Sequence, residues 1–142
     1  MIGCFGLGGL LDRLQPWPLL ASFEGIDAAR SVGLALLALG VALDVWSLGL
    51  FRRAGTSALP FLPASARVES GPYRFTRNPM YLGMTLSLAG VGLALNRGWI
   101  LLAAPLAAAI LDRYAIAREE RYLERRFGDA YRDYKRRVRR WL

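Results

Sequence analysis

Two short segments of this chain combine residue types that could hold a polar ligand. Arg77-Asn78-Pro79-Met80-Tyr81-Leu82-Gly83 opens one apolar stretch, and Glu119-Glu120 closes the next. Asparagine is a favoured N-cap and proline a favoured first helical residue, so Asn78-Pro79 predicts a helix start with free backbone N–H groups toward the preceding loop. Such a positive end attracts a carboxylate or phosphate, and Arg77 beside it adds a full charge with forked donors. Adjacent helical residues point about 100° apart, so one of the two glutamates can face the helix bundle while the other flanks it. Two plainer readings stay open: Arg77 and Tyr81 as anchors at a membrane surface, and Glu119-Glu120 as a solvated face paired with Arg113, Arg118 and Arg121.

Several chemistries are excluded by composition. The chain has no histidine and one cysteine, Cys4, so Ser-His-Asp triads, Cys-His pairs, the usual zinc sites and intrachain disulfides are ruled out, and no metal is expected. A net charge of +8 raises nucleic acid as a partner, but the basic residues lie beside apolar runs and no nucleic-acid-binding module is visible. Membrane lipid accounts for the charge better. Gly3, Gly6, Gly8 and Gly9 form no dinucleotide loop, because no strand precedes them.

The elements that must position the two segments follow from hydropathy. The 142 residues suit one domain, and 54% hydrophobic content is high for a chain with 19 Lys and Arg. Three apolar runs predict three membrane helices: 32–51, interrupted only by Asp44; 79–95; and 99–120, the last leaving the bilayer through Asp112 and Arg113. The turn Asn96-Arg97-Gly98 makes the second and third an antiparallel pair. Gly83, Ser87 and Gly90 predict close approach of another helix. Residues 1–30, with Pro16-Trp17-Pro18, form a short apolar segment and an interfacial loop; the apolar part is too short to span and has no positive region before it to make a signal peptide.

The expected fold is therefore all-α, a polytopic bundle of three clear spans and a short N-terminal apolar segment, with a basic amphipathic tail over 121–142. In that tail Phe127, Tyr131, Tyr134, Val138 and Trp141 recur on one helical face. Gly128 is expected to end one helix and Asp129 to cap the next, and the aromatic stripe is expected to lie on the membrane surface. Arginines concentrate in 52–78 and after 113, while the 96–98 turn has only Arg97, so both opening segments and the tail are assigned to the cytoplasmic side.

At this point the residues carry a resemblance. R-N-P-M-Y-L-G, then E-E about 35 residues on, then F-G-D-A-Y-R-D-Y-K-R-R-V resembles the isoprenylcysteine carboxyl methyltransferase and phospholipid methyltransferase superfamily, integral membrane enzymes that use S-adenosylmethionine. The likeness covers roughly 52–142. It implies cofactor contacts at Tyr73, Arg77, Asn78, Pro79, Met80, Tyr81, Glu119 and Glu120, an approach by Ser65 to Val68, and Glu120 and Arg77 as the catalytic residues. Under it, Glu119 suits a ribose diol or an ammonium, the helix start and Arg77 suit a carboxylate, and adenine suits an apolar pocket near Tyr73 and Tyr81. Asn78 stands where carboxyl methyltransferases carry histidine. Asn-Pro-Met-Tyr looks like the phosphatidylethanolamine branch, while the F-G-x-x-Y-x-x-Y-K tail looks like the carboxyl methyltransferase branch.

The implied activity is methyl transfer to a lipophilic acceptor, foremost the carboxylate of an isoprenylcysteine-like molecule, with a phosphatidylethanolamine-type amine as the alternative. A carboxylate attacking a sulfonium methyl needs no general base, whereas a protonated amine needs an acceptor for its proton, Glu120 or a tyrosine. A non-catalytic membrane scaffold or assembly protein is the alternative of another class. Asp44 stays outside the site, as an acid that either bonds a neighbouring helix or reaches water. Oligomeric state is not legible.

Overall fold

The computed structural model describes residues 2–19, 23–55 and 68–142. Its described residues are helical apart from turns and two isolated bridges. In order they are α1 (Ile2–Leu14), α2 (Phe23–Arg53), a 3₁₀ turn (Gly71–Arg74), α3 (Pro79–Ala94) and α4 (Gly98–Ile110). A π-helical turn (Leu111–Ile116), α5 (Ala117–Phe127) and α6 (Asp129–Arg137) complete the chain.

Among the described residues two helical runs, not three, are long and apolar enough to cross a bilayer: Ile26–Arg53 and Gly98–Phe127. The expected middle span is α3, with 16 residues, about 24 Å against the roughly 30 Å of hydrocarbon. Its length is fixed at both ends. Proline at the first helical position sets the start, and Asn96, with φ of 52°, closes the other end. There the Asn96 N–H donates to Leu93 O and the Arg97 N–H to Gly92 O, the paired bonds of a left-handed helix stop. The other boundaries also move. The α2 helix starts at Phe23, and the third apolar run remains helical to Phe127, because hydropathy marks the part that suits lipid, not where the backbone turns helical.

On α2, Val32, Leu34, Leu39, Val41, Val45 and Trp46 are left 48–64% exposed. An apolar surface of this extent is matched to hydrocarbon and not to water.

Small residues set the spacing of α2 and α3. A Cβ built on Gly33 would lie 2.4 Å from Ala94 N, one on Gly40 2.5 Å from Gly83 O, and one on Gly90 2.6 Å from Gly33 O. Backbone thus meets backbone along two helices, as the Gly83, Ser87 and Gly90 pattern predicts. Asp44 belongs to this seam, since a Cβ on Gly83 would lie 2.2 Å from its Oδ1.

The end away from the two motifs is tied down by polar contacts. Arg97 forms an ion pair with the buried Asp12 at the end of α1, Gly98 N–H donates to Trp17 O at 2.9 Å, and Trp17 stands edge-on to Trp99 with centroids 5.3 Å apart. The expected short first helix is thus α1, packed along α4, and its glycines are helical.

At the motif end the tail corrects one expectation. Tyr131, Tyr134 and Val138 are 2%, 4% and 8% exposed and pack with Leu123 and Phe127, so the aromatic stripe faces protein instead of the membrane surface. The reason is the break at Gly128, which folds α6 back against α5. Gly128 itself, not Asp129, is the N-cap: its carbonyl accepts from the Tyr131 and Arg132 N–H groups, and Asp129 is the first helical residue, its carboxylate bonded to Arg132. With φ of 57° and ψ of −130°, Gly128 holds a conformation that a Cβ disfavours. Gly128→Ala is expected to lower stability by about 1–3 kcal/mol, read as a lower midpoint in thermal unfolding of the detergent-solubilised protein; an unchanged midpoint would contradict it.

Candidate functional site

The start of α3 and the start of α5 come together at the motif end of the bundle. Tyr81 projects from the first turn of α3 and its hydroxyl donates to Glu119 Oε2 at 3.1 Å. The two glutamates divide as adjacent helical residues must. Glu119 faces α3, and Glu120 turns to Arg77 and Arg140. The π turn just before α5 sets this azimuth, since each i→i+5 bond rotates the downstream helix relative to an α-helical register.

Glu120 is fully engaged. Arg77 Nη2 donates to its Oε1 at 2.7 Å, with the two side chains 10% and 7% exposed. Arg140 donates from Nε to Oε1 at 3.2 Å and from Nη2 to Oε2 at 2.6 Å. Arg77 uses both terminal nitrogens, its Nη1 reaching Lys135 O and Val138 O, each at 3.0 Å, while its buried Nε is unpaired among the described residues. The two residues expected to be catalytic therefore bond to each other and to the tail.

Asn78 is the N-cap of α3 by position, but its side chain does not cap the helix. Its Nδ2 donates to Arg140 O at 2.9 Å, its N–H donates to Thr76 Oγ1 at 3.2 Å, and Thr76 Oγ1 donates to Arg140 O at 3.1 Å. The start of α3 is left without a side-chain cap, the arrangement that makes a helix end receptive to an anion. Pro79 is fully buried beneath it, and Met80 is half-buried.

Tyr73 is buried edge-on to Phe51, centroids 5.6 Å apart, and its carbonyl accepts the Tyr134 hydroxyl at 2.7 Å. Burial, and next the nearby charge of Glu119, raise its pKa, so Tyr73 stays a neutral phenol at any physiological pH. Of the segment expected to approach a cofactor, Ser65 to Arg67 lie outside the described residues.

Thr76, Asp112, Arg140 and Trp141 were not singled out by the sequence as site residues. Asp112 accepts from Arg140 Nη1 at 3.1 Å and from Trp141 Nε1 at 2.9 Å. A basic tail reads as a solvated or lipid-facing charge run, and only a carboxylate far away in sequence distinguishes Arg140 from its neighbours. An acid at the end of an apolar run, Asp112, was the one local hint.

An uncharacterized protein of Haemophilus influenzae (strain ATCC 51907 / DSM 11121 / KW20 / Rd) is 44% identical over 63 residues, which are 44% of this chain and 100% of that protein. No solved structure is a significant match. The sequence profile of phospholipid methyltransferases matches residues 28–130, which span α2, α3, α4, the π turn, α5 and both motifs, so the chain belongs to the phospholipid methyltransferase family.

Proposed function

We propose that this protein is a multi-pass membrane enzyme that transfers a methyl group from S-adenosylmethionine to a lipophilic acceptor at the motif end of the bundle. The observation that carries the reading is Glu119: it is held by the Tyr81 hydroxyl, faces the uncapped start of α3, and has no ion-pair partner among the described residues. Acceptor atoms and an anion-receptive helix end side by side fit a ligand that carries both an ammonium or diol and a carboxylate.

In this reading Glu119 and Tyr81 bind the cationic or hydroxyl groups of the cofactor, and the start of α3 receives its carboxylate. Bound there, S-adenosylmethionine supplies an electrophilic methyl group. Glu120 and Arg77 hold these elements in place and do not take a proton, because guanidinium groups engage both carboxylate oxygens. A carboxylate acceptor needs orientation and exclusion of water. An amine acceptor must in addition lose a proton. The apolar tail of either acceptor enters between helices from lipid. The cytoplasmic side is assigned to the motif end, where Arg52, Arg53, Arg74 and the basic last turns of α5 and α6 outnumber Arg13, Arg30 and Arg97 at the opposite end.

Thermal unfolding of the purified protein with S-adenosylmethionine or its demethylated product tests the reading, since a ligand at about 100 times its Kd stabilises the native state by about 2.7 kcal/mol. No shift in folded protein at saturating ligand favours a scaffold instead. Glu119→Gln is expected to weaken cofactor binding by about tenfold or more, the loss of one charge-assisted hydrogen bond, with the midpoint of the ligand-free protein unchanged. Wild-type affinity in that variant removes Glu119 from the site. Labelled cofactor incubated with fractionated lipids then separates a methyl ester from a methylated amine.

A further inference from the structure

Arg140 joins the pieces that carry the site. Its guanidinium holds both oxygens of Glu120 on α5 and, through Nη1, both oxygens of Asp112 in the π turn at 3.3 and 3.1 Å. Its carbonyl accepts from Thr76 and Asn78 at the start of α3. Arg77 N–H donates to the neighbouring Arg139 O at 2.9 Å, so Thr76 and Arg139 run side by side as a short parallel bridge. The segment 138–141 thus forms a clasp over both halves of the site.

The side chain and the backbone of Arg140 do different things. The backbone contacts fix where α3 begins and survive any substitution of the side chain. The fork fixes α5: a carboxylate gripped on both oxygens by a planar guanidinium cannot turn about the helix axis without breaking two charge-assisted bonds. Glu119 is the preceding residue on the same helix, so the azimuth of Glu120 sets the azimuth of Glu119.

We propose that Arg140 is a positioning residue that acts through Glu120 to hold Glu119 against Tyr81 and the start of α3. The inference rests on the reading of Glu119 as a cofactor contact. Without the fork Glu120 keeps only the single Arg77 bond to Oε1, which does not fix the orientation of its carboxylate, and a displacement of about 1 Å in a binding constellation is enough to cost up to about a hundredfold.

The test is a double-mutant cycle on the full chain in detergent, with the demethylated cofactor product as probe and its Kd read by calorimetry. Arg140→Ala is expected to weaken binding about tenfold, and Arg137→Ala, on an exposed arginine of α6 paired with Glu69, to leave it unchanged. Because Arg140 works through Glu119, adding Arg140→Ala to Glu119→Gln is expected to weaken binding by less than about twofold more. Multiplying losses in the double variant would overturn the proposal, as would Arg140→Ala with wild-type affinity. Arg140→Lys keeps the charge and loses the fork; where Arg140→Ala yields no folded protein, it carries the test with an expected loss of about fivefold and the same non-additivity. A wild-type protein that binds no probe sinks the cofactor reading and the clasp together. Unchanged binding in Glu119→Gln beside a loss in Arg140→Ala overturns only the route through Glu119.

Discussion

Arg77→Ala is expected to destabilise the folded protein by about 3 kcal/mol and to abolish cofactor binding. Arg77 and Glu120 are nearly buried and 2.7 Å apart, so removing the guanidinium leaves a carboxylate in a poorly solvated place with Arg140 as its remaining cation. The same substitution strips a donor from Lys135 O and Val138 O at the end of α6, both in part-buried bonds that water can replace at small cost. Retained Arg140 contacts keep the total near the lower end of the range for breaking a buried pair.

Arg77→Lys separates charge from geometry. An ammonium on a flexible stem can reach Glu120, but it cannot present parallel donors to Glu120 and the end of α6 at once, so an intermediate loss of about 1–2 kcal/mol is expected. Arg132→Ala removes an exposed pair with Asp129 and a long one of 3.9 Å with Glu124, and is expected to leave stability unchanged within error. Chemical denaturation of the three variants in one detergent measures the series. If Arg77→Ala unfolds at the wild-type midpoint, the buried pair contributes nothing and Arg77 is free for another role.

What the sequence made legible depends on range. Hydropathy and the Asn78-Pro79 signal are local, and they placed α3, its first residue and the apolar character of α2 and α4 correctly. The small residues of α3 predicted close helix contact for the same reason: a glycine seam needs only the i, i+7 pattern of one helix. The 100° rule showed that Glu119 and Glu120 diverge, but it could not say which of them turns toward α3. That choice is set by the π turn at Leu111–Ile116 and by the fork from Arg140, 20 residues from Glu120. The partner of Arg77 lies 43 residues away, beyond any spacing rule. The tail misled for a physical reason as well. An amphipathic stripe says that something apolar covers it, and membrane surface and protein core satisfy that equally; Gly128, by folding α6 back on α5, decides for protein.

Gly33→Val is the substitution expected to disturb the fold most. The Cβ alone would lie 2.4 Å from Ala94 N, 2.6 Å from Gly90 O and 2.9 Å from Ala94 Cα, and none of these atoms is the end of a side chain that can move aside. Valine adds two branched methyl groups at the same point, so α2 and α3 must separate. Overpacking usually costs about 1–3 kcal/mol, and a clash with backbone places this case at the top of that range or above. The effect reaches the site, because α3 carries Asn78 and Tyr81 at its start and is positioned along its length by α2. Gly49 supplies the control: a Cβ there meets nothing within 4 Å, so Gly49→Ala is expected to be neutral or to stabilise the helix by about 0.5–1 kcal/mol. Thermal unfolding and size-exclusion profiles of the two variants decide the matter. A monodisperse Gly33→Val protein that melts with the wild type would show that α2 and α3 do not depend on backbone contact, and the glycine seam would lose its place in holding Tyr81 opposite Glu119.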